Sequence, residues 1–243
     1  MIGRYVYGAA AIALGGVGLA FGDFAAVWQP FPDGVPDRQI FAYVVAGLFV
    51  LGGLMTIIRR PGQAGPLLLT ALFAMFAIGW LLMRLINHPQ MYVMYNGVSE
   101  QSAMALGGLA LFASATEAKT LGFVTQRLFG ICLLVFGGAH FVYVTETAQM
   151  VPGWLPPDQR LWAQITGAGH AAAGLALISG ILDVIAARLL TAMFVGFGLL
   201  VWVPTLMAAP HEHVSWAGNA INLALIGAAW CIGDAAAKRR ASA

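Results

Sequence analysis

The sequence predicts an all-α membrane protein with eight transmembrane helices. Of its 243 residues, 60% are hydrophobic and only 9% are charged, and the mean hydropathy is +0.82. These values lie far outside the range of soluble globular domains. Eight apolar segments also approach the roughly 20 residues that a helix needs to cross a bilayer. A multi-pass protein embedded in the lipid bilayer is therefore expected.

The eight predicted spans follow one another with short connections. Their limits are residues 4–22, 38–58, 65–86, 99–115, 126–144, 159–178, 186–207 and 214–232. The first segment is taken as a span and not as a secretory signal, because it is long enough to cross and lacks a clean cleavage site. The fourth span is short and starts with the polar residues Ser99, Glu100, Gln101 and Ser102.

The basic residues predict the orientation of the chain. With the N-terminus inside, nine of the twelve Lys and Arg residues face the cytoplasm, and only Arg38, Arg84 and Arg160 face outward. Cytoplasmic loops of membrane proteins carry this excess of positive charge. Both termini are therefore predicted to be cytoplasmic, in the inner (plasma) membrane of a bacterium. The nine inner residues are Arg4, Arg59, Arg60, Lys119, Arg127, Arg188, Lys238, Arg239 and Arg240.

The two halves of the chain look like a duplication. The segments PDRQIF, from Pro36, and PDQRLW, from Pro157, each open a predicted helix after a Pro-rich loop. The same shift brings Asp23 close to Glu146. We therefore expect two four-helix repeats, residues 1–118 and 119–243, packed about a pseudo-two-fold axis along the membrane normal.

The second half resembles the DoxX-like family of membrane proteins. The resemblance rests on GGAHFVYVTETAQMVPGWLPP at residues 137–157 and TGAGHAAAGLAL at residues 166–177, and it reaches the first half only through the internal repeat. It implies a four-helix membrane unit associated with a redox complex, because the family includes the membrane part of a thiosulfate:quinone oxidoreductase. The family pattern has an acidic residue where this chain has His170, so a role for that position does not carry over.

Two histidines are candidates for a site within the membrane. His140 shares a helix face with Phe136 and Tyr143, and His170 lies near the middle of the sixth span. Ionisable residues at such depth are rare and often functional. The alternative is a neutral histidine hydrogen-bonded across a helix interface. Counting residues along the helices places the two side chains within two helical turns in depth, which favours an elongated ligand over one ion held by both rings.

Other polar residues extend this candidate site toward the outer surface. Asn219 and Asn222 lie on one face of the last span, and Glu146 follows the fifth. Amide groups of this kind can bind the carbonyl of a quinone. The predicted cofactor site therefore comprises His140, Tyr143, Glu146, His170, Asn219 and Asn222.

The loop Pro210-His211-Glu212-His213 is a second candidate site. Imidazole and carboxylate groups are ligands for zinc, copper or haem iron. The alternative is a solvated outer loop, in which such residues are common. The sequence therefore leaves a metal site at His211, Glu212 and His213 open.

Three functions fit these features. The first is a redox-associated subunit that binds a quinone, with haem or copper as other possible cofactors and a membrane or periplasmic redox protein as partner. The second is a carrier of metal ions or small solutes, and the third is a structural subunit of a larger membrane complex. No nucleotide-binding loop, nucleophile elbow or CxxC motif occurs, so no enzyme class is assigned. The net charge of +2 and the absence of a basic stripe argue against nucleic acid.

Overall fold

The computed structural model describes residues 2–25, 27–59 and 62–241, and Arg60 lies outside these ranges. Within them the chain is helical and contains no β-strand, so the predicted all-α class is confirmed. π-Helical turns at Leu81–Leu85 and Gly198–Trp202 extend α3 and α8. The helices are α1 (Ile2–Phe21), α2 (Arg38–Ile58), α3 (Ala64–Trp80), α4 (Tyr92–Ala115), α5 (Lys119–Val142), α6 (Val144–Met150), α7 (Gln159–Ser179), α8 (Asp183–Phe197), α9 (Val203–Ala208) and α10 (His213–Ala241).

Seven helices in the described part of the chain are long and apolar enough to cross a membrane. They are α1, α2, α3 with its π-turn, α5, α7, α8 continued through α9, and α10. Several of them expose apolar side chains, as helices in contact with lipid do. On α2 the exposed large apolar residues are Ile40, Phe41, Tyr43, Val44, Leu51, Leu54 and Ile58.

The helix α4 does not belong to this set, although it has 24 residues. At 1.5 Å per residue it is about 36 Å long, which exceeds the thickness of a hydrocarbon core. Its hydropathy is low because Asn96, Glu100 and Gln101 interrupt its first half. Both α4 and α5 start seven residues before the predicted spans, at Tyr92 and Lys119, because polar turns precede their apolar stretches.

The helices form two rings that share a wall. In the N-terminal ring, each helix contacts the next in the circuit α10, α1, α2, α3 and α4. In the C-terminal ring, the circuit is α4, α5, α7, α8 and α10. The helices α4 and α10 pack against each other and belong to both rings. This central position explains why α10 is the most buried of the long helices.

Aromatic side chains fill the N-terminal ring. Phe49, Phe73 and Phe76 are each at most 2% exposed, and the ring of Phe49 lies 5.0 Å from that of Phe73 and 6.4 Å from that of Phe76. The segment between α1 and α2 adds Phe24, which is also buried and lies edge-on to Phe76 at 6.1 Å. The interior of this ring is thus a packed core.

Ion pairs connect the helices at the end of the protein where α1 begins and α10 ends, which we call the basic end. Arg188 pairs with Asp234 at 2.5 Å, and Arg240 pairs with the buried Asp183 at 2.7 Å. Both pairs join α8 to α10. We call the opposite end the cavity end, and there Arg38 pairs with Asp23.

Candidate functional site

A cavity of about 440 Å³ lies inside the C-terminal ring, at the cavity end. All five helices of the ring line it, and α6 with the segment 151–155 covers it. His140 and His170 both lie on its wall. A cavity of this size, mostly apolar and with few polar groups, is typical of a site for a small organic ligand.

Two glycines bring the histidines together. A Cβ atom added to Gly167 would lie 2.7 Å from the Cβ of His140, and one added to Gly137 would lie 2.8 Å from the carbonyl oxygen of Gly167. Such contacts are possible only where side chains are absent, so α5 and α7 approach each other closely. The imidazole rings of His140 and His170 are consequently only 5.0 Å apart between centroids.

Backbone carbonyl groups orient both imidazole rings. The Nδ1 atom of His140 lies 3.1 Å from the carbonyl oxygen of Ala163 and 3.0 Å from the hydroxyl of Thr166. The Nδ1 atom of His170 lies 3.0 Å from the carbonyl oxygen of Thr166. A carbonyl oxygen only accepts, so we assign the ring hydrogen of each neutral imidazole to Nδ1. Each Nε2 then carries a lone pair and has no partner among the described residues.

Three phenylalanines surround the histidine pair. Phe136 meets the ring of His170 edge-on at 5.8 Å, and Phe194 lies 5.5 Å from the same ring. Phe197 is stacked against His140 at 6.1 Å. The only polar atoms that the histidines present to the cavity are therefore the Nε2 atoms, in an aromatic setting.

The helix α4 supplies one wall of the cavity, and this wall was not predicted from the sequence. Val93, Asn96 and Glu100, spaced along one helix face, line the cavity. The indole of Trp28 lies within hydrogen-bonding reach of the Glu100 carboxyl group. Tyr143 accepts a hydrogen bond of 3.1 Å from the backbone N–H of Val93, which fixes the end of α5 to α4. The polar start of the fourth predicted span was the sequence signal for this wall.

The amides of α10 brace the π-turn of α8. Asn222 donates to the carbonyl oxygen of Phe194 at 3.2 Å, and Asn219 donates to that of Trp202 at 2.7 Å. Asn222 lines the cavity, whereas Asn219 does not. π-Turns inside α-helices leave carbonyl groups without their usual partners and occur often at functional sites.

The structure brings together four of the six predicted cofactor-site residues, His140, Tyr143, His170 and Asn222. Asn219 points to the π-turn, and Glu146 is exposed on α6. Residue counting placed the two histidines too far apart in depth for one small ion to be held by both rings, but their ring centroids lie only 5.0 Å apart. Residue counting assumed ideal straight helices at a fixed depth, whereas the glycine contacts set the actual distance.

The structure does not assemble the metal site suggested at His211, Glu212 and His213. His211 and Glu212 are exposed, and the ring of His213 is stacked on Phe21 at 4.5 Å. Among the described residues, no group of three or more His, Cys, Asp or Glu side chains lies in a position to hold a metal ion. Contact with α1 has turned His213 away from its two neighbours.

Residues 129–232 match the profile of a family described as a domain of unknown function (DUF8561). This range contains His140 and His170 but not α4, so the match covers only part of the cavity wall. No curated protein and no solved structure matches the chain. The family description assigns no activity, and the function is therefore argued from the cavity itself.

Proposed function

We propose that this protein is a redox-associated membrane subunit that binds the ring of a quinone, or of a similar apolar ring compound, in the cavity of the C-terminal ring. The observation that carries the proposal is the pair of imidazole Nε2 atoms that face an aromatic cavity of about 440 Å³. A flat ring with oxygen substituents matches this combination of aromatic walls and a few polar groups.

The polar groups lie on different walls of the cavity. His140 and His170 belong to α5 and α7, Asn222 to α10, and Glu100 to α4. A six-membered ring that carries oxygen atoms at opposite positions can contact polar groups on two walls at once, with its faces against aromatic side chains. A metal-ion carrier would need a cluster of ligands. Among the described residues, no group of three or more His, Cys, Asp or Glu side chains is placed to hold a metal ion.

The proposal is tested by purifying the full-length protein and extracting it with organic solvent. We expect a quinone in the extract of the wild-type protein, and its loss from the His170→Leu variant at an unchanged thermal unfolding temperature. His88→Leu is the matched control, because His88 is exposed and outside the cavity. If His170→Leu keeps its full quinone content and gains stability, His170 is a packing residue and the site is wrong.

We further propose that α4 is the eighth transmembrane helix. It packs lengthwise between α3 and α5, and its polar residues face the protein, so its low hydropathy does not oppose insertion. Eight spans are compatible with both termini in the cytoplasm of a bacterial cell. Reporter fusions at Gly62, at Lys119 and at the C-terminus should then all be cytoplasmic, and fusions at Gln90 and Gly153 periplasmic. A periplasmic C-terminus would contradict this topology.

We also propose that the two halves are repeats of one unit, as the shared segments PDRQIF and PDQRLW indicate. Gly8 contacts the α2 backbone at Gly53. Gly130, 122 positions after Gly8, makes the same contact with the α7 backbone at Gly174, which is 121 positions after Gly53. A further pair of contacts has the same offset. An added Cβ would overlap the indole of Trp80 at Gly97, and that of Trp202 at Gly218. Matching contacts at a constant offset support a duplication.

A further inference from the structure

We infer that the cavity binds the reduced, hydroxyl-bearing form of its ring ligand in preference to the oxidised, carbonyl-bearing form. This inference rests on the proposed function, and it specifies which chemical class of ring compound the site accepts. It follows from the hydrogen-bonding roles of the two histidines.

Both imidazoles are acceptors toward the cavity. The Nδ1–H group of His140 is directed to the carbonyl oxygen of Ala163, and that of His170 to the carbonyl oxygen of Thr166. The opposite tautomer would place a nitrogen lone pair against a carbonyl oxygen at about the same distance, which is repulsive. The Thr166 hydroxyl, also 3.0 Å from Nδ1 of His140, donates its single hydrogen to the carbonyl oxygen of Trp162 at 2.9 Å and is left to accept from Nδ1–H. These contacts therefore hold both Nε2 atoms in the acceptor state.

The group of the ligand that lies between the two histidines must therefore donate a hydrogen bond. A hydroquinone hydroxyl donates its hydrogen to one of the two Nε2 atoms. A quinone carbonyl only accepts, and it would leave both Nε2 atoms desolvated and without a donor. An unsatisfied acceptor of this kind weakens binding by about tenfold to a hundredfold.

Two other polar groups on the cavity wall can also bind a hydroxyl of the ring. The Tyr143 hydroxyl oxygen accepts from the N–H of Val93, so its own hydrogen can be donated to a ligand oxygen. The carboxyl group of Glu100 offers oxygen atoms on the α4 wall. A hydroxyl both donates and accepts, and can therefore use either group.

The test is equilibrium dialysis of the full-length protein in nanodiscs, with empty nanodiscs as the correction for partition into lipid. The probes are trimethylhydroquinone under anaerobic reducing conditions, trimethylbenzoquinone, and the dimethyl ether of the hydroquinone, which keeps the shape and has no donor. We expect the hydroquinone to bind at least tenfold more tightly than the other two. His140→Phe should reduce this preference severalfold, and His88→Gln should leave it unchanged.

The outcomes separate the inference from the proposed function. If the quinone binds as tightly as the hydroquinone, the preference is refuted and the proposed function stands. If none of the three probes binds, the proposed function itself fails. Nitrogen NMR of protein labelled with ¹⁵N-histidine gives a second measurement, because it distinguishes the two tautomers without any variant. A hydrogen on Nε2 in His140 and His170 would overturn the inference.

Discussion

The two rings of helices share α4 and α10, yet one is filled and the other is hollow. In the N-terminal ring, Phe49 is 1% exposed and touches Phe73 and Phe76. In the C-terminal ring, the residue 121 positions later is His170, which is equally buried but borders a cavity of about 440 Å³. Two rings of helices that share a wall thus differ in their interiors, with a packed core in one and a cavity in the other.

The segments that cover the two rings also differ in how deeply their large side chains are buried. Between α1 and α2, Phe24 and Trp28 are buried, and the carbonyl oxygen of Trp28 accepts hydrogen bonds from Trp80 and Gln101. Between α5 and α7, Met150 is 48% exposed and Trp154 is 71% exposed. The first cover inserts its large side chains into the ring, whereas the second leaves space below it.

The greatest effect is expected on stability, when buried side chains 121 residues apart in the two rings are truncated. Phe49→Ala creates a void in a packed core and should lower the free energy of unfolding by about 3–5 kcal/mol. His170→Ala only enlarges an existing cavity and should cost about 1 kcal/mol. Thermal and denaturant unfolding in detergent measure both. Equal losses would show that the C-terminal ring is as tightly packed as the other.

A smaller effect is expected at the helix contact that brings the histidines together. Gly167→Ala forces its new Cβ against the Cβ of His140 and should lower the free energy of unfolding by about 1–3 kcal/mol. It should also abolish ligand retention, because the two imidazoles separate. Gly196→Ala, on α8, is the control, since no atom lies within 4 Å of the added Cβ. A stable Gly167→Ala variant with full ligand content would contradict the role of this contact.

The amides of the shared wall provide a third comparison. Asn222 donates to Phe194 in the C-terminal ring, and Gln101, 121 positions earlier, donates to the carbonyl oxygen of Trp28 at 2.9 Å. Replacing either by Leu should lower the free energy of unfolding by about 0.5–1.5 kcal/mol. Only Asn222→Leu should also weaken ligand binding, measured by dialysis, because Asn222 lines the cavity. Equal effects on binding would show that both rings contribute to the site.

The smallest effect is a difference in chemical labelling between the two segments that cover the rings. Substitution of the exposed Met150 should leave the stability of the protein nearly unchanged. Met150→Cys should react rapidly with a membrane-impermeant maleimide, and Trp28→Cys should react slowly, because Trp28 is only 7% exposed. The native Cys132 and Cys231 are buried and give a low background. Equal labelling rates would mean that the first cover opens as readily as the second.

The membrane class and the two central histidines could be predicted from the sequence. Hydropathy integrates over about 20 residues and is insensitive to packing, so spans such as Arg38–Ile58 were evident. His140 and His170 stood out because ionisable groups are rare inside apolar helices. The least apolar helix, α4, was recognised as a candidate span, but its polar residues could not be assigned to a site.

Which polar residues meet depends on contacts between helices, which could not be predicted from the sequence. Glu100 belongs to the cavity because α4 closes the ring with α5 and α10, a contact between distant parts of the chain. Asn219 faces a π-turn and not the cavity, because its amide group donates to the carbonyl oxygen of Trp202. The distance between the histidines depends on how closely two glycine-containing helices approach. Each of these results follows from packing between helices. The hydropathy of a single helix carries no information about how that helix packs against others.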